Sequence, residues 1–282
     1  MLNHEFWVAS FAAGSIARFK ATLSGKPKKT PYSHVIVGAQ PNFLIQNPSD
    51  RHAALVTVLE SPNCESIWNV PVSNGGAPTL FFRKAGNIEL GMARGIASTA
   101  EYIFVADNRN GKKGANGLVR ISFDGKSAKR FPISETEGDV VPVISDGTQI
   151  YFGTDTSIYR MADADAAPEK LDLSQGRIWR AMAIRGRTLF LVAWEDPQTT
   201  KPKLYTYDLK TNTQSKPVAL SKSYIGIHAA KEFLVLTSAY DPDLKTGLGS
   251  IVRYRNGKEK LIAMGTSAEF TSAPTGIVSV AL

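Results

Sequence analysis

The stretch YIFVADNRNGKKGANGLVRISFDG, residues 102–125, decides the fold. Its apolar run Tyr102–Asp107 leads, through a polar insertion, to Gly117-Leu118-Val119-Arg120 and then to the turn pair Asp124-Gly125. A short continuous apolar run bounded by turn residues is typical of a strand that is buried on both faces. Asp-Gly favours a tight hairpin, because both central residues of that turn need positive φ. The stretch therefore predicts consecutive antiparallel strands.

The same unit occurs six times along the chain. Its central Ile or Leu stands at positions 16, 67, 118, 158, 204 and 251, with a mean spacing of 47 residues around the closed circle. A β-rich run precedes each copy, and these runs are Phe6–Ser10, Leu55–Glu60, Tyr102–Asp107, Ile150–Asp155, Leu189–Trp194 and Phe233–Ser238. A fixed repeat of this length indicates an array of identical structural units.

Another short segment, rich in small residues, precedes each β-rich run. These segments are Phe43–Ile45, Gly95–Ala97, Val141–Ile144, Ala181–Ile184, Gly226–His228 and Gly276–Ser279. Small residues suit the crowded centre of a radial array, so we expect inner strands here. Four strands for every 40–50 residues define the blade of a propeller. The sequence predicts an all-β protein, a six-bladed β-propeller with four-stranded antiparallel blades, forming one domain over residues 1–282.

The two ends of the chain belong to the same predicted blade. The chain begins at the second strand of a blade and ends with the first, Gly276–Ser279. We therefore expect the C-terminal strand to pair with Phe6–Ser10. This pairing closes the ring and covers edges that would otherwise invite aggregation.

One end of the central channel is predicted to carry cationic side chains. The residues aligned at the start of the inner strands are Asn42, Arg94, Val141, Arg180, Ile225 and Thr275. Trp179 and Tyr224 each stand one residue before this position. Guanidinium groups bind carboxylate or phosphate through two parallel hydrogen bonds. Arg94 and Arg180 therefore predict a site for a small planar anion, flanked by Asn42, Trp179 and Tyr224.

The role of the arginines and the role of His228 both stay open. The arginines could cap the channel and pair with acids of the loops, such as Glu89, Glu137, Asp139 or Glu269. His228, on an inner strand, is a candidate base or ligand, or else a core histidine with its hydrogen bonds satisfied.

The residues that end the β-rich runs include three carboxylates. The aligned positions are Ser10, Glu60, Asp107, Asp155, Trp194 and Ser238. One interpretation is an acidic ring that binds a cation. The other is a structural role, in which each carboxylate accepts hydrogen bonds from the backbone of a turn or a neighbouring blade.

The segment Arg94–Ala97 followed by Tyr102–Asn108 resembles one NHL-type repeat. The whole chain resembles the superfamily of six-bladed propellers with YWTD, NHL or SMP-30/gluconolactonase-like repeats. A second similarity, to the propeller lactonases, rests on residues 40–44, 47–51 and 58–60. Resemblance to SMP-30-type enzymes implies a divalent metal held by Glu, Asp and Asn near the channel. The mouth positions of this chain hold no carboxylate, so we expect no metal and no cofactor.

Composition and charge exclude several classes of protein. The chain has 282 residues, a net charge of +8 and 43% hydrophobic residues, which is typical of a folded globular protein. One cysteine, Cys64, excludes an intramolecular disulfide, and one Cys with four His cannot supply a Cys/His zinc site. Most basic residues flank predicted turns, and no basic helix or aromatic-rich basic strand occurs. We therefore expect no nucleic-acid binding.

The sequence leaves the compartment open. No apolar run approaches the ~20 residues of a membrane-spanning helix. Residues 1–5 lack the pattern of a signal peptide, so the protein is cytoplasmic unless a leader was removed before Met1. In that case we expect a periplasmic or secreted protein.

Two functional hypotheses follow. The first is a bacterial binding or scaffold module that takes an anionic ligand at the channel mouth or a protein partner. The partner would contact long loops predicted at residues 108–116, 195–202 and 240–249. The alternative is a lactonase, hydrolase or lyase acting on a lactone or anionic sugar derivative. Arg94 and Arg180 would then orient the anion, and His228 would be the base.

Overall fold

A computed structural model describes residues 4–11, 14–21, 28–35, 40–60, 64–72, 75–109, 114–173, 178–195, 202–238, 249–264 and 274–280. These residues form six antiparallel sheets of four or five strands and a separate two-stranded ribbon. Each sheet corresponds to one predicted repeat. The protein is a six-bladed β-propeller, as the repeats predict.

The first three blades follow the chain in order. Blade 1 contains β1 (His4–Ser10), β2 (Ser15–Ala21) and β3 (Lys28–Val35). Blade 2 contains β4 (Gln40–Asn47), β5 (Asp50–Glu60), β6 (Cys64–Pro71) and β7 (Thr79–Phe82). A ribbon of β8 (Lys84–Ala85) and β9 (Ile88–Glu89) follows. Blade 3 contains β10 (Met92–Ser98), β11 (Tyr102–Asn108), β12 (Gly117–Ser122) and β13 (Ala128–Pro132).

A short 3-10 turn, Glu135–Glu137, leads to the second half of the ring. Blade 4 contains β14 (Val143–Ser145), β15 (Ile150–Gly153), β16 (Ile158–Met161) and β17 (Glu169–Lys170). Blade 5 contains β18 (Ile178–Arg185), β19 (Thr188–Trp194), β20 (Lys203–Asp208), β21 (Thr213–Gln214) and β22 (Val218–Ala219). Blade 6 contains β23 (Tyr224–Ala229), β24 (Leu234–Ser238), β25 (Ser250–Arg255) and β26 (Lys258–Met264). The last strand, β27 (Pro274–Val280), completes blade 1.

The ring closes as predicted, within blade 1. β27 pairs antiparallel with β1, and Val8 lies opposite Ile277. The inner strands β27, β4, β10, β14, β18 and β23 contact one another in sequence around the axis, and β23 returns to β27. The first and last described strands are therefore held in one sheet by backbone hydrogen bonds.

Neighbouring inner strands approach closely where they carry glycine. The Gly95 N–H donates to the Val141 carbonyl of the next blade at 2.9 Å. A Cβ added to Gly95 would lie 2.7 Å from the Val143 nitrogen, and one added to Gly276 would lie 2.7 Å from the Phe43 Cα. Any larger residue would push the strands apart, which explains the small residues of the inner strands.

The hydrophobic core lies between adjacent blades. Phe104 and Leu118 of blade 3, for example, pack with Val143 and Phe152 of blade 4. Each buried aromatic or aliphatic side chain of this kind contributes about 1.5–3 kcal/mol relative to an exposed one. The blades are therefore fixed to one another by side-chain packing as well as by the inner-strand contacts.

Blade 4 departs from the predicted strand bounds. Its inner strand was expected over Val141–Ile144, whereas β14 covers Val143–Ser145. Pro142 has no N–H to donate, which shortens regular pairing here. The Val141 N–H still donates to the Gly153 carbonyl at 3.0 Å, so the segment keeps its place beside β15.

One predicted hairpin turn is confirmed in detail. Asn256 and Gly257 both have positive φ, 50° and 75°, as a type I′ turn requires. The Ser24-Gly25 turn and most of the three long loops (residues 110–113, 196–201 and 239–248) lie outside the described residues. Within the described ranges, no helix is long and apolar enough to cross a membrane.

Candidate functional site

The six inner strands enclose a central cavity of about 280 Å³. Its lining is mostly apolar and includes Ile96, Val143, Met182, Ile227 and Ile277. His228 is the one ionisable side chain among the described residues that line it. The interior of the channel therefore offers contact to apolar groups, and charged groups concentrate at its ends.

The predicted mouth positions coincide with irregularities in the inner strands. In blades 1, 2, 3, 5 and 6 the pairing register of the inner strand shifts at this point. At each shift one or two residues of the inner strand have no partner in the neighbouring strand. In blade order these are Thr275 and Gly276 in blade 1, Asn42 and Phe43 in blade 2, Arg94 and Gly95 in blade 3, Arg180 in blade 5 and Ile225 in blade 6. β-Bulges of this kind re-aim side chains and occur often at barrel rims and beside active sites. The bulge that repeats from blade to blade was not predicted.

Arg94 and Arg180 belong to one electrostatic cluster at this mouth. Burial lowers the pKa of the Arg180 guanidinium, and the positive charge of Arg94 lowers it further. The carboxylates of Asp155 and Asp139 raise that pKa. Arg180 thus interacts electrostatically with a second cation of blade 3 and with two acids beside blade 4, and we name these four residues the mouth cluster: Arg94, Asp139, Asp155 and Arg180.

The Arg180 side chain is held loosely for a partly buried cation. Its Nη1 lies 3.7 Å from Asp155 Oδ1, which is an ion pair without a hydrogen bond. Its guanidinium carbon lies 5.1 Å from the centre of the Trp194 ring, within the range of a cation–π contact. The Nε of Arg180 is buried and has no hydrogen-bond partner.

Two further buried polar atoms beside Arg180 are also unsatisfied. They are Oδ1 of Asp155 and Nε1 of Trp194. Because most buried polar atoms in proteins are hydrogen-bonded, unsatisfied ones mark places that water or a ligand can occupy. Two donors and one acceptor are therefore buried without a hydrogen-bond partner at one edge of the mouth.

Trp179 and Tyr224 do not face the mouth. Both are buried, with 1% and 0% of their surface exposed. Trp179 packs edge-on against Tyr205, with ring centres 5.7 Å apart, inside the core of blades 4 and 5. The Tyr224 hydroxyl donates to Glu259 Oε2 at 2.5 Å. Successive side chains of a strand point to opposite faces, and these two rings therefore contribute to the core and not to a ligand site.

Asn42 and His228 have other contacts. Asn42 is buried at the bulge of β4, and its carbonyl accepts a hydrogen bond from the Thr275 hydroxyl. His228 lines the channel, and its ring lies edge-on to Phe6 with centres 5.8 Å apart. Of the six predicted ligand-binding residues, the structure brings Arg94 and Arg180 together with charged neighbours.

The carboxylates that end the β-rich runs have different roles. Asp107 is fully buried, and its Oδ1 accepts hydrogen bonds from the N–H groups of Gly91 at 2.6 Å and Met92 at 3.0 Å. Its Oδ2 pairs with Arg130 and Arg109. Asp107 is thus a structural anchor for the start of blade 3, whereas Asp155 lies half-buried at the mouth. The side chain of Glu60 is not among those described.

Glu137 has partners other than the mouth arginines. Burial raises the pKa of its carboxyl, but hydrogen bonds from Thr156, Ser157 and Lys170 outweigh burial and lower the pKa to about 2. Its role is to tie the 3-10 turn to blade 4. Among the described residues, no group of three His, Cys, Asp or Glu side chains is placed to hold a metal ion.

Sequence reasoning missed the link between Asp155, Trp194 and Arg180. Asp155 and Trp194 were recognised as the ends of β-rich runs, and Arg180 as the start of an inner strand. In an antiparallel blade these two positions lie at the same end of the sheet. The antiparallel arrangement of the blade strands could therefore have predicted that Asp155, Trp194 and Arg180 lie at the same end of the channel.

The comparisons with known proteins define the fold. No protein-family model matches the sequence, and no curated protein matches it. A solved chain from the nidogen/laminin complex is 15% identical, with a TM-score of 0.70 over 99% of both chains. TolB from Acinetobacter baumannii is 13% identical, with a TM-score of 0.64 over 99% of this chain and 66% of that one. A puromycin-hydrolysing peptidase from Mycobacterium tuberculosis is 14% identical, with a TM-score of 0.57 over 92% of this chain and 44% of its own. Likeness at this level of identity carries the architecture and not the activity.

Proposed function

We propose that this propeller is a binding or scaffold module whose small-molecule site is the mouth cluster. The observation that supports it most is the state of Arg180, a partly buried cation with an unsatisfied Nε and an acid 3.7 Å away. A carboxylate or phosphate at this point would receive hydrogen bonds from Arg180 and charge stabilisation from Arg94. The proposed ligand is a small anion.

The acids of the cluster set the affinity and the selectivity. Asp155 and Asp139 balance the two arginines, so the mouth carries no large net charge. An incoming anion must compete with Asp155 for Arg180, which favours ligands with a planar, two-oxygen head over a single-point charge. We therefore expect modest affinity for simple anions, with carboxylates ahead of halides.

A protein partner is the second candidate. The described ends of the long loops, at Asn108, Glu195 and Ser238, follow the strands that end at the mouth. The nidogen chain is similar in fold and was solved in a complex with laminin. An acidic side chain of a partner docked on this loop face would reach the same arginines. This reading predicts binding of acidic peptides at the mouth.

The alternative of a lactonase, hydrolase or lyase has less support in the geometry. His228 stands three residues beyond the mouth position Ile225 on β23, which is about 10 Å along a strand. A base at that distance does not reach a group held by Arg94 and Arg180. Turnover of sugar lactones by the wild-type protein, lost in His228→Ala, would favour the enzyme over the binding module.

Isothermal titration with acetate, benzoate, inorganic phosphate and chloride tests the proposal. We expect carboxylates to bind the wild-type protein and the Arg94→Ala/Arg180→Ala variant to lose at least tenfold in affinity. Arg187→Ala/Arg255→Ala, which removes two exposed arginines elsewhere, is the charge-matched control and should bind as wild type. Equal losses in both variants would indicate general charge and would contradict the site. A melting temperature raised by several degrees with Ca²⁺, Zn²⁺ or Mn²⁺ would contradict the metal-free binding module.

A further inference from the structure

Each arginine of the mouth is followed along its inner strand by residues of the apolar channel. On β10, Arg94 is followed directly by Gly95 and Ile96, which line the cavity. On β18, Arg180 is followed by Ala181 and Met182, which also line it. The apolar cavity therefore begins one residue beyond each arginine, within reach of the chain of a ligand whose charged head meets them.

The cavity is large enough for a short chain and too apolar for a second charge. Its volume of about 280 Å³ is close to the lower end of the ~300–1,000 Å³ range of small-molecule sites. Apolar cavities of ~150 Å³ already accept benzene, so about six to ten carbon atoms should fit here. Burying another ionised group among the apolar side chains would be unfavourable, and His228 is the one ionisable side chain of the described lining that could pair with it.

We infer that the ligand of the mouth cluster is an amphiphile, a linear alkyl carboxylate whose head binds Arg94 and Arg180 and whose chain fills the channel. This inference rests on the proposed function and adds the class of ligand to it. Met182 gives the wall a flexible side chain that adapts to chains of different length. Sugar acids and dicarboxylates are expected to bind more weakly, because most of the wall that their polar ends would meet is apolar, as at Ile96, Val143 and Ile277.

A homologous series of ligands tests the inference on the wild-type protein. Isothermal titration compares acetate, butanoate, hexanoate, octanoate and decanoate, with octanedioate and 1-octanol as matched controls. We expect affinity to rise about 4-fold for each added methylene until the channel is filled, since burying one CH₂ contributes ~0.8 kcal/mol. Octanedioate and 1-octanol should each bind at least tenfold more weakly than octanoate.

The outcomes separate this inference from the proposed function. Acetate and octanoate could bind the wild-type protein with equal affinity, and Arg94→Ala/Arg180→Ala could lose both. That result would contradict binding of the alkyl chain in the channel but would agree with an anion site at the arginines. Binding of octanoate that the double variant does not weaken, or that 1-octanol equals, would overturn the head-group assignment. Binding of none of the five carboxylates would overturn both.

Discussion

The guanidinium of Arg180 lies 3.7 Å from the carboxylate of Asp155, across the boundary between blades 5 and 4. The pair is not closed by a hydrogen bond, and Asp155 uses its other oxygen to accept the Asp139 N–H at 3.0 Å. Partly exposed ion pairs of this kind contribute about 0.2–1 kcal/mol. A ligand can therefore displace Asp155 from Arg180 at small cost.

Asp155→Asn should strengthen binding of the carboxylate. The substitution removes the charge that competes for Arg180 but keeps an oxygen that can accept the Asp139 N–H. We expect about 2- to 5-fold tighter binding by isothermal titration, from the range of exposed ion pairs. Asp165→Asn removes an acid of the outer surface that pairs with Lys129 and Arg120, and should leave affinity unchanged. Weaker binding in Asp155→Asn would mean that the acid itself holds the ligand.

Gly95→Ala should destabilise the ring. Its Cβ would lie 2.7 Å from the Val143 nitrogen, so blades 3 and 4 must separate. We expect a loss of about 2 kcal/mol or more in the free energy of unfolding, measured with urea. Gly186→Asn is the control, because nothing lies within 4 Å of a Cβ there, and Asn, which adopts the φ of 57° at less cost than other side chains, should lose less stability than Gly95→Ala. Equal stability of Gly95→Ala and wild type would refute the close approach of the inner strands.

The repeat predicted the architecture because the residues that determine each blade lie close together in the sequence. Apolar runs, the Ile or Leu of the third strand and turn pairs are set by neighbouring residues. The structure has the runs and the Asn256-Gly257 turn where the sequence predicts them, whereas at Asp124-Gly125 only the glycine has a positive φ. The shortened β14 depends instead on the missing N–H of Pro142, and the ribbon β8–β9, which turns at Gly86 with a φ of 57°, lies outside the repeat. Those features carry no periodic signal.

The candidate site was predictable only in part. Alignment of the inner strands found Arg94 and Arg180, because the repeat fixes which residues share a level of the channel. The same alignment also suggested Trp179 and Tyr224. These residues stand one position earlier in their strands, and because successive side chains point to opposite faces, both rings lie in the core. The position of Asp155 beside Arg180 depends on how blades 4 and 5 pack, which no single repeat encodes.

Removal of the closing strand should unfold the propeller. Truncation after residue 273 deletes β27, which pairs with β1 and whose Thr275 carbonyl accepts a hydrogen bond from Thr237 at 2.6 Å. We expect a melting temperature lower by more than about 10 °C, or aggregation through the exposed edge of β1. A synthetic peptide of residues 274–282 added in trans should restore part of the stability. Wild-type melting of the truncated chain would refute the ring topology.

Glu137 should give the fold an acid-sensitive contribution. The pKa of its carboxyl is about 2 in the folded protein against an ordinary 4.5, so folding favours the charged form. Its contribution, on the order of 3 kcal/mol, is complete above pH 4.5 and is lost as the pH falls towards 2. The stability difference between wild type and Glu137→Gln in urea should therefore shrink over that interval. Glu101→Gln, an exposed control, should show no such change, and a constant difference for Glu137→Gln would contradict the assignment.

The binding of an alkyl carboxylate by the mouth cluster and the channel can be seen in a crystal structure of the protein with octanoate. We expect density for the carboxylate within hydrogen-bond distance of Arg180 and beside Arg94, with the alkyl chain running into the channel past Met182. Density for octanoate only at another surface, with no octanoate in the channel, would contradict this assignment of the ligand.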